Sequence, residues 1–464
     1  MHLDTVVNRG TYDSELANSK TLKETISLLK SAGADFVYVK KLAANDNSKN
    51  QPYLAPHLNE LSFIPTNDII ASGSSSLKSK NKRSIKYHAN INFDWVSPMG
   101  DIYNAPNTKV IYYPQYPEVR LSGFLQGSKV KLSKWMDPNK QGRSLGRWLL
   151  LGINTDKQIY AYLATPDSRL SSDLEAATFN NITNVFWEPT LDKTPVLSTR
   201  EQLINKLKSI HQQGWIQSQK LTADGPIPYK ASNGAGYTLE SLLGVLPNGK
   251  AEPDYLGWEV KQCGVKAFPR KSARPTTLFT PEPDGGYYKD KGGKEFIKVY
   301  GYPDNSGKND RLNFGGKHVV GKQQSRTQLT LKIEGFDLVN KSITNAAGKV
   351  TLVDKQNIVT ASWSFSKIME HWKRKHAKTV FVPSIKRKTD SGYDYHFGNN
   401  IELGFGTSFE RFLNAMHSGD VYYDPGIKLE DVSTDKPKIK KRNQFRCNHS
   451  NLHSLYDDFI DIEI

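Results

Sequence analysis

Cysteine is nearly absent from this chain, with only Cys263 and Cys447 among 464 residues. Neither belongs to a CxxC pair, so no zinc site or disulfide framework is expected, and two reduced thiols are the simple reading. Long apolar runs are missing too. No stretch approaches the roughly 18 apolar residues of a membrane span, and the stretch from Trp148 to Leu151 reads as a strand or a buried helical turn. The N-terminus, Met-His-Leu-Asp-Thr-Val-Val-Asn-Arg, has no basic region leading into an apolar core. Secretion is therefore not expected, and the cytoplasm is the simplest address. No repeat of solenoid period is visible. The Gly301 to Lys308 stretch has the wrong spacing for a P-loop, so ATP use is not indicated.

Acidic residues are also outnumbered: the net charge is +16 and the pI about 9.4. Residues 1–200 carry 24 Lys+Arg against 18 Asp+Glu, and residues 201–464 carry 39 against 29. Both halves are basic, which is the electrostatic footprint of a polyanion partner such as nucleic acid. Solubility alone can produce the same excess, so charge opens the question without answering it.

The length makes two domains the default. Residues 1–190 read as an α+β, β-rich unit. After a polar, frayed start, a helix runs from Thr21 to Ala32 and is stopped by Gly33, and a strand covers Asp35 to Lys40. A Ser/Lys-rich loop fits Ser72 to Lys86. Further strands are expected at Val110–Tyr113, Glu118–Phe124, Trp148–Ile153 and Gln158–Ala164. Tyr112, Tyr113, Tyr116, Arg120, Lys129, Lys131, Lys134 and Trp135 could line a nucleic-acid surface, although core is the commoner fate of such aromatics. The proline-bearing stretch from Trp187 to Pro195 reads as a linker, placed at 191–198.

From 199 onward, Thr199 and Gln202 have capping-box spacing before a helix with Leu203, Ile204, Leu207 and Ile210 on one face. A second helix covers Tyr237 to Leu243, and a strand covers Trp258 to Val260. Thr327–Ile333 and Val350–Val353 continue a sheet, with Asn345-Ala-Ala-Gly as its turn. Helices are expected at Phe365–Lys375 and Phe409–Met416, and a strand at Thr379–Val382. The His371 to His376 run reads as a solvated helix face.

The chemistry concentrates between Gly236 and Lys261. Glu240 lies on a helix, Asp254 in a turn, and Glu259 and Lys261 two apart on one strand, so both side chains leave the same face. Phosphodiester hydrolysis needs a polarised phosphate, an activated water and stabilised oxygen charge. Mg²⁺ takes one or two carboxylates plus water and phosphate. Asp254 and Glu259 can share such an ion with the Val260 carbonyl as third ligand, and Lys261 can orient the water. Asp254 followed by Glu-x-Lys has low specificity on its own, and a solvated Glu–Lys pair is the bland alternative. Alternation with Trp258 and Val260 favours a sheet strand with one buried face.

The series Gly-Tyr-Thr-Leu-Glu240-Ser-Leu-Leu-Gly, Pro-Asp254, Gly-Trp-Glu259-Val-Lys261 resembles the MvaI/BcnI restriction endonucleases. These are relatives of the nicking enzyme MutH within the PD-(D/E)xK superfamily. Pro275 to Pro283, Tyr393 to His396 and Ser408 to Leu413 fall in the same order, so the resemblance spans about residues 200–450. It implies an α/β catalytic domain with a mixed central sheet, from 199 to 464. It also implies Asp254 and Glu259 as Mg²⁺ ligands, Lys261 as the catalytic lysine, and Glu240 as an assisting carboxylate. Double-stranded DNA is the implied partner, and a cognate DNA methyltransferase the implied companion. Minimal members act as monomers, but the added N-terminal region leaves monomer or dimer open. The Gly285 to Gln324 segment looks longer than the family needs, and Cys447 to His449 match only loosely.

The resemblance further implies a cleft wall that reads DNA. Lys386, Arg387, Lys388, Tyr395 and His396 are the candidates, because Arg and Lys can bond guanine edges and His can report on a base edge. For each of them a phosphate contact or plain surface charge is an equal reading. Arg442 and Arg446 are expected as backbone clamps. The expected function is a type II-like, sequence-specific endonuclease, with a MutH-like nickase and an inactive DNA-binding fold as rivals.

Overall fold

The computed structural model describes residues 14–44, 51–72, 85–129, 133–136, 144–190, 197–246, 254–269, 271 and 274–464. Most of the Ser72 to Lys86 loop, the 191–196 stretch and Lys131 lie outside them, as does the Lys134 side chain.

Before residue 191 two sheets stack. The larger orders its strands Thr178–Asn181, Trp187–Thr190, Phe36–Leu42, Arg147–Ile153, Gln158–Ala164, Asn92–Val96 and Ile102–Asn104. The smaller orders Tyr53–Ala55, Glu118–Ser122, Lys109–Tyr113, Lys86–Asn90 and Ile70–Ser72. Every residue of Arg147–Ile153 is buried. Trp148 and Leu150 face a cluster with the helix Leu22–Ser31, while Leu149 and Leu151 face the second sheet. The apolar run is thus a strand covered on both sides. Thr21 caps that helix through a capping box with Glu24, so the helix begins one residue later than expected. The expected frayed start contains a short helix, Ser14–Ser19.

A separate six-stranded sheet organises the second region. In chain order its parts are helix α1 (Thr199–Gln212), strand β1 (Ile216–Gln217), helix α2 (Ala235–Leu242) and strand β2 (Glu259–Gly264). Then come helix α3 (Phe365–Lys375) and strands β3 (Lys378–Thr389), β4 (Gly392–Phe397) and β5 (Asn400–Phe405). Helix α4 (Phe409–Ser418) and strand β6 (Asp458–Glu463) complete the set. The strand order is β1-β4-β3-β5-β6, and β2 pairs with β3 in parallel along its other edge. Leu203, Leu207 and Ile210 of α1 and Leu239 of α2 pack on Val260, Val380, Val382, Ile401 and Leu403. The capping box of α1 sits one residue earlier than expected. Ser198 Oγ accepts from the Glu201 amide, and the Glu201 carboxylate accepts from the Ser198 amide.

The long segment between β2 and β3 folds into small antiparallel sheets and further helices. It includes a helix, Tyr287–Tyr300, where the sequence suggested only a Gly-rich insertion. Gly292 interrupts that helix with a left-handed φ of 85°, and this hides its periodicity. Three residues of the His371 to His376 run are not solvated: Trp372, Lys373 and His376 are 0%, 2% and 0% exposed, and the side chains of Arg374 and Lys375 lie outside the described ones. The N-terminal region meets Trp372 and Lys373, whereas the His376 ring meets the Tyr456 hydroxyl (3.3 Å) and the Leu278 carbonyl (3.2 Å). Asn59 Nδ2 donates to the Trp372 carbonyl (3.0 Å), and Lys373 Nζ donates to Thr66 Oγ1 (3.2 Å). Tyr112 is likewise buried, and its hydroxyl donates to Glu410 Oε1 of α4 (2.7 Å). One apolar cluster runs through residues of both regions.

Candidate active site

A tight turn builds the site. Tyr255 and Trp258 exchange backbone hydrogen bonds (3.0 and 2.8 Å) across Leu256 and Gly257, both left-handed at φ 49° and 80°. Two consecutive positive φ values mark a hairpin of primed type, which folds the chain back on itself. Asp254 therefore lies beside β2, and its Oδ2 accepts from the Val260 amide (2.9 Å). In an extended strand a residue's N–H and C=O point to the same side. The Val260 carbonyl thus faces Asp254 on the edge of β2 that does not pair with β3.

Glu259 is 1% exposed and forms an ion pair with Lys261 along the strand. Burial alone would lower the Lys261 pKa. The charge and hydrogen bond of Glu259, with Asp254 and Glu240 behind it, outweigh that and hold it above the ordinary lysine range. Lys261 is therefore an ammonium ion, and all three carboxylates lie within electrostatic reach of it. Glu240 comes from α2, whose preceding loop is pinned by Tyr395: its hydroxyl accepts from the Gly234 amide (3.1 Å) and donates to the Ser232 carbonyl (3.2 Å).

Register assigns the other candidates to faces, because directly paired residues share one. Glu259 pairs with Thr379 and Lys261 with Phe381; Phe381 also pairs with Glu402, and Glu402 with Asp461. Further along β3, Ile385 pairs with His396 and Arg387 with Asp394. Glu259, Lys261, Arg387 and His396 thus share one face, opposite to the one that the apolar side chains of α1 and α2 cover, although His211 at the end of α1 also stacks on His396 (5.3 Å). Lys386 and Lys388 leave the helix-covered face, where Lys386 Nζ lies over the Tyr393 ring at 5.4 Å. Tyr395 is 1% exposed and offers DNA no surface; its role is to hold the loop before Glu240. Arg446 is held by Asp424 (2.8 Å) and the Pro275 carbonyl (2.8 Å), while Arg442 is exposed.

Sequence reasoning missed a polar cluster on the same face. Lys271 Nζ contacts Glu402 Oε1 (2.9 Å) and both oxygens of Asp461 (3.0 and 2.9 Å), and His449 Nε2 bonds Glu402 Oε2. Burial would raise the Glu402 pKa, but the hydrogen bonds of His449 and Lys271 outweigh it and lower it. These residues line a cavity of about 260 Å³ with Cys263 and Phe381. Only the lone carboxylate in Ile401-Glu402-Leu403 signals the cluster in sequence.

The sequence model of the MvaI/BcnI restriction endonuclease family matches residues 204–456, more than half of the chain. This chain belongs to that family. A MvaI/BcnI family member has a restriction-endonuclease-like fold of mixed sheets and helices, and membership implies a restriction-type DNA endonuclease. Among solved structures, a complex of restriction endonuclease MvaI with cognate DNA is 18% identical at a TM-score of 0.43. The match covers 57% of this chain and 99% of that one. MvaI without DNA is 16% identical at a TM-score of 0.32, covering 58% and 99%. None of the curated proteins matches this chain. Among the described residues no helix is long and apolar enough to cross a membrane.

Proposed function

We propose that this MvaI/BcnI family member is a sequence-specific, Mg²⁺-dependent endonuclease of the type II kind, acting on double-stranded DNA. The observation that carries the reading is the hairpin that sets Asp254 on the Val260 amide beside the buried Glu259–Lys261 pair. Among the described residues, no three His, Cys, Asp or Glu side chains are gathered around a ready ion site. Mg²⁺ does not require that, since one or two carboxylates with water and substrate phosphates complete its shell. Asp254, Glu259 and the Val260 carbonyl fit this donor set. Bound there, the ion would polarise the phosphate and lower the pKa of water.

The chain's own residues do the rest. Lys261 acts as a hydrogen-bond donor that orients the attacking water and offsets charge on the phosphate. Glu240, within electrostatic reach of Lys261, assists by holding water. A water oxygen bonds to phosphorus as the in-line bond to the 3′ oxygen breaks; the water gives up a proton to solvent and the 3′ oxygen takes one up. The ends are a 5′-phosphate and a 3′-hydroxyl.

Residues 1–190 form an accessory DNA-recognition region in this reading, joined through 191–198 to a nuclease region at 199–464. Exposed Tyr116 and Lys129 are its contact candidates, and unchanged DNA retention after replacing both by Ala would remove them. A DNA methyltransferase protecting the same sites is a companion compatible with this reading.

Supercoiled plasmid with Mg²⁺ tests the activity. Linear product that disappears with EDTA is expected. Nicked circles that never linearise would favour the MutH-like reading, and intact plasmid an inactive DNA-binding fold.

A further inference from the structure

On the face shared with Glu259 and Lys261, one cation is held ready for a ligand. The Arg387 guanidinium carbon sits over the Trp215 ring, 4.5 Å from its centroid. Its Nε and one terminal nitrogen both donate to Asp394 Oδ2 (3.0 and 2.9 Å). Trp215 is in turn fixed by His396 (ring centroids 5.8 Å apart), which is packed between His211 and Phe268 (5.3 and 5.4 Å). His211 Nδ1 donates to the Phe397 carbonyl (2.7 Å). The His396 pKa is lowered by burial and then by His211, so its ring is a neutral platform at neutral pH. Arg387 nevertheless remains half-exposed, with a side-chain exposure of 50%.

The geometry points to Arg387 as a specificity-determining residue that reads a guanine. The inference deepens the nuclease reading, resting on it only for duplex DNA as the ligand. Stacking removes the freedom of a long side chain, and the Asp394 bond fixes its rotation, so the terminal fork is aimed before DNA arrives. That fork, with two parallel N–H groups, matches guanine O6 and N7. A phosphate would carry its negative charge toward Asp394, which works against a backbone contact; a guanine edge carries acceptors without net charge. Lys386 and Lys388 lack a fork and leave the other face. From Phe381, beside Lys261, to Arg387 is six residues of strand, at most about 20 Å at about 3.3 Å per residue. The guanine therefore lies within about six base pairs of the cut at about 3.4 Å per base.

The test uses the full chain and a random-sequence duplex library, selected for binding in Ca²⁺ and separately digested in Mg²⁺. Wild type should show a fixed G·C pair within that distance of the cut. R387A should lose discrimination at that one pair by about 5- to 150-fold, with other positions intact. R387K, which keeps the charge and guards against a folding defect in R387A, should relax the same pair. D394N should weaken that preference with less loss of overall binding. Uniformly weaker binding with an unchanged sequence preference, and a salt slope reduced by about one, would make Arg387 a phosphate contact and overturn the inference. Wild type without any sequence preference would overturn it as well. Selective binding without cleavage in Mg²⁺ would defeat the nuclease reading while leaving Arg387 as the reader.

Discussion

The two faces of the six-stranded sheet are made by alternate residues of the same strands, yet they have little in common. One carries Val260, Val380, Val382, Ile401 and Leu403 against α1 and α2. The other carries Glu259, Lys261, Glu402, Asp461, His396 and Arg387. Removing apolar area from water is the main favourable term in folding, so the first face can hold the sheet together. That stability lets the second keep buried charges and aimed donors, which are costly unless paired. A side chain's contribution here depends on its parity along the strand more than on its neighbours in sequence.

Breaking this contrast should start where the effect is largest. Glu259→Ala or Lys261→Ala should reduce plasmid cleavage by at least about 10²–10³-fold, the scale of lost electrostatic stabilisation at a reacting phosphate, while DNA retention stays close to wild type. Retained cleavage would defeat the site assignment. On the opposite face, Leu403→Ala should cost about 2–5 kcal/mol in urea unfolding with the sequences at the cut ends unchanged; altered ends would mean that the faces are coupled.

Its neighbour Glu402 should behave differently. Its lowered pKa means the folded chain binds fewer protons there than the unfolded one, so it contributes stability above the unfolded glutamate pKa. That contribution is lost as pH falls through the folded value. Glu402→Gln should remove this part of the acid loss in Tm-against-pH curves, and identical acid limbs would refute the sign. The smallest effect belongs to the turn. Leu256→Asn places a residue more tolerant of left-handed φ at 49° and should raise stability by about 0.5–1 kcal/mol. A lower Tm would show that Leu256 contributes packing that outweighs its strain.

Much of this arrangement was legible because it is local. Alternation placed Glu259 and Lys261 on one face, and α3 begins and ends where its pattern suggested. The same alternation separates Tyr395 from His396, since adjacent residues on a half-buried strand cannot both face DNA. Glu402, Lys271 and His449 meet only through tertiary folding, and no spacing announces them. The His371 to His376 run misled because part of its cover comes from residues 59 and 66, far upstream, and part from Leu278 and Tyr456. Lysine and histidine looked solvated until distant segments lay across them. Tyr287–Tyr300 was hidden by its own glycines.

That distant cover has a bearing on how the chain is made. Asn59 and Thr66 meet Trp372 and Lys373 across sequence separations of 313 and 307 residues. At the about 5–20 residues per second of translation, they leave the ribosome roughly 15 to 60 s before their partners exist. Throughout that interval the nascent N-terminal region presents a surface whose proper neighbour has not been synthesised. The strand pairing of β2 with β3 waits as well, for residue 379 to emerge after residue 259. An interrupted message would therefore yield a chain with Asp254, Glu259 and Lys261 present but the sheet that holds them unfinished.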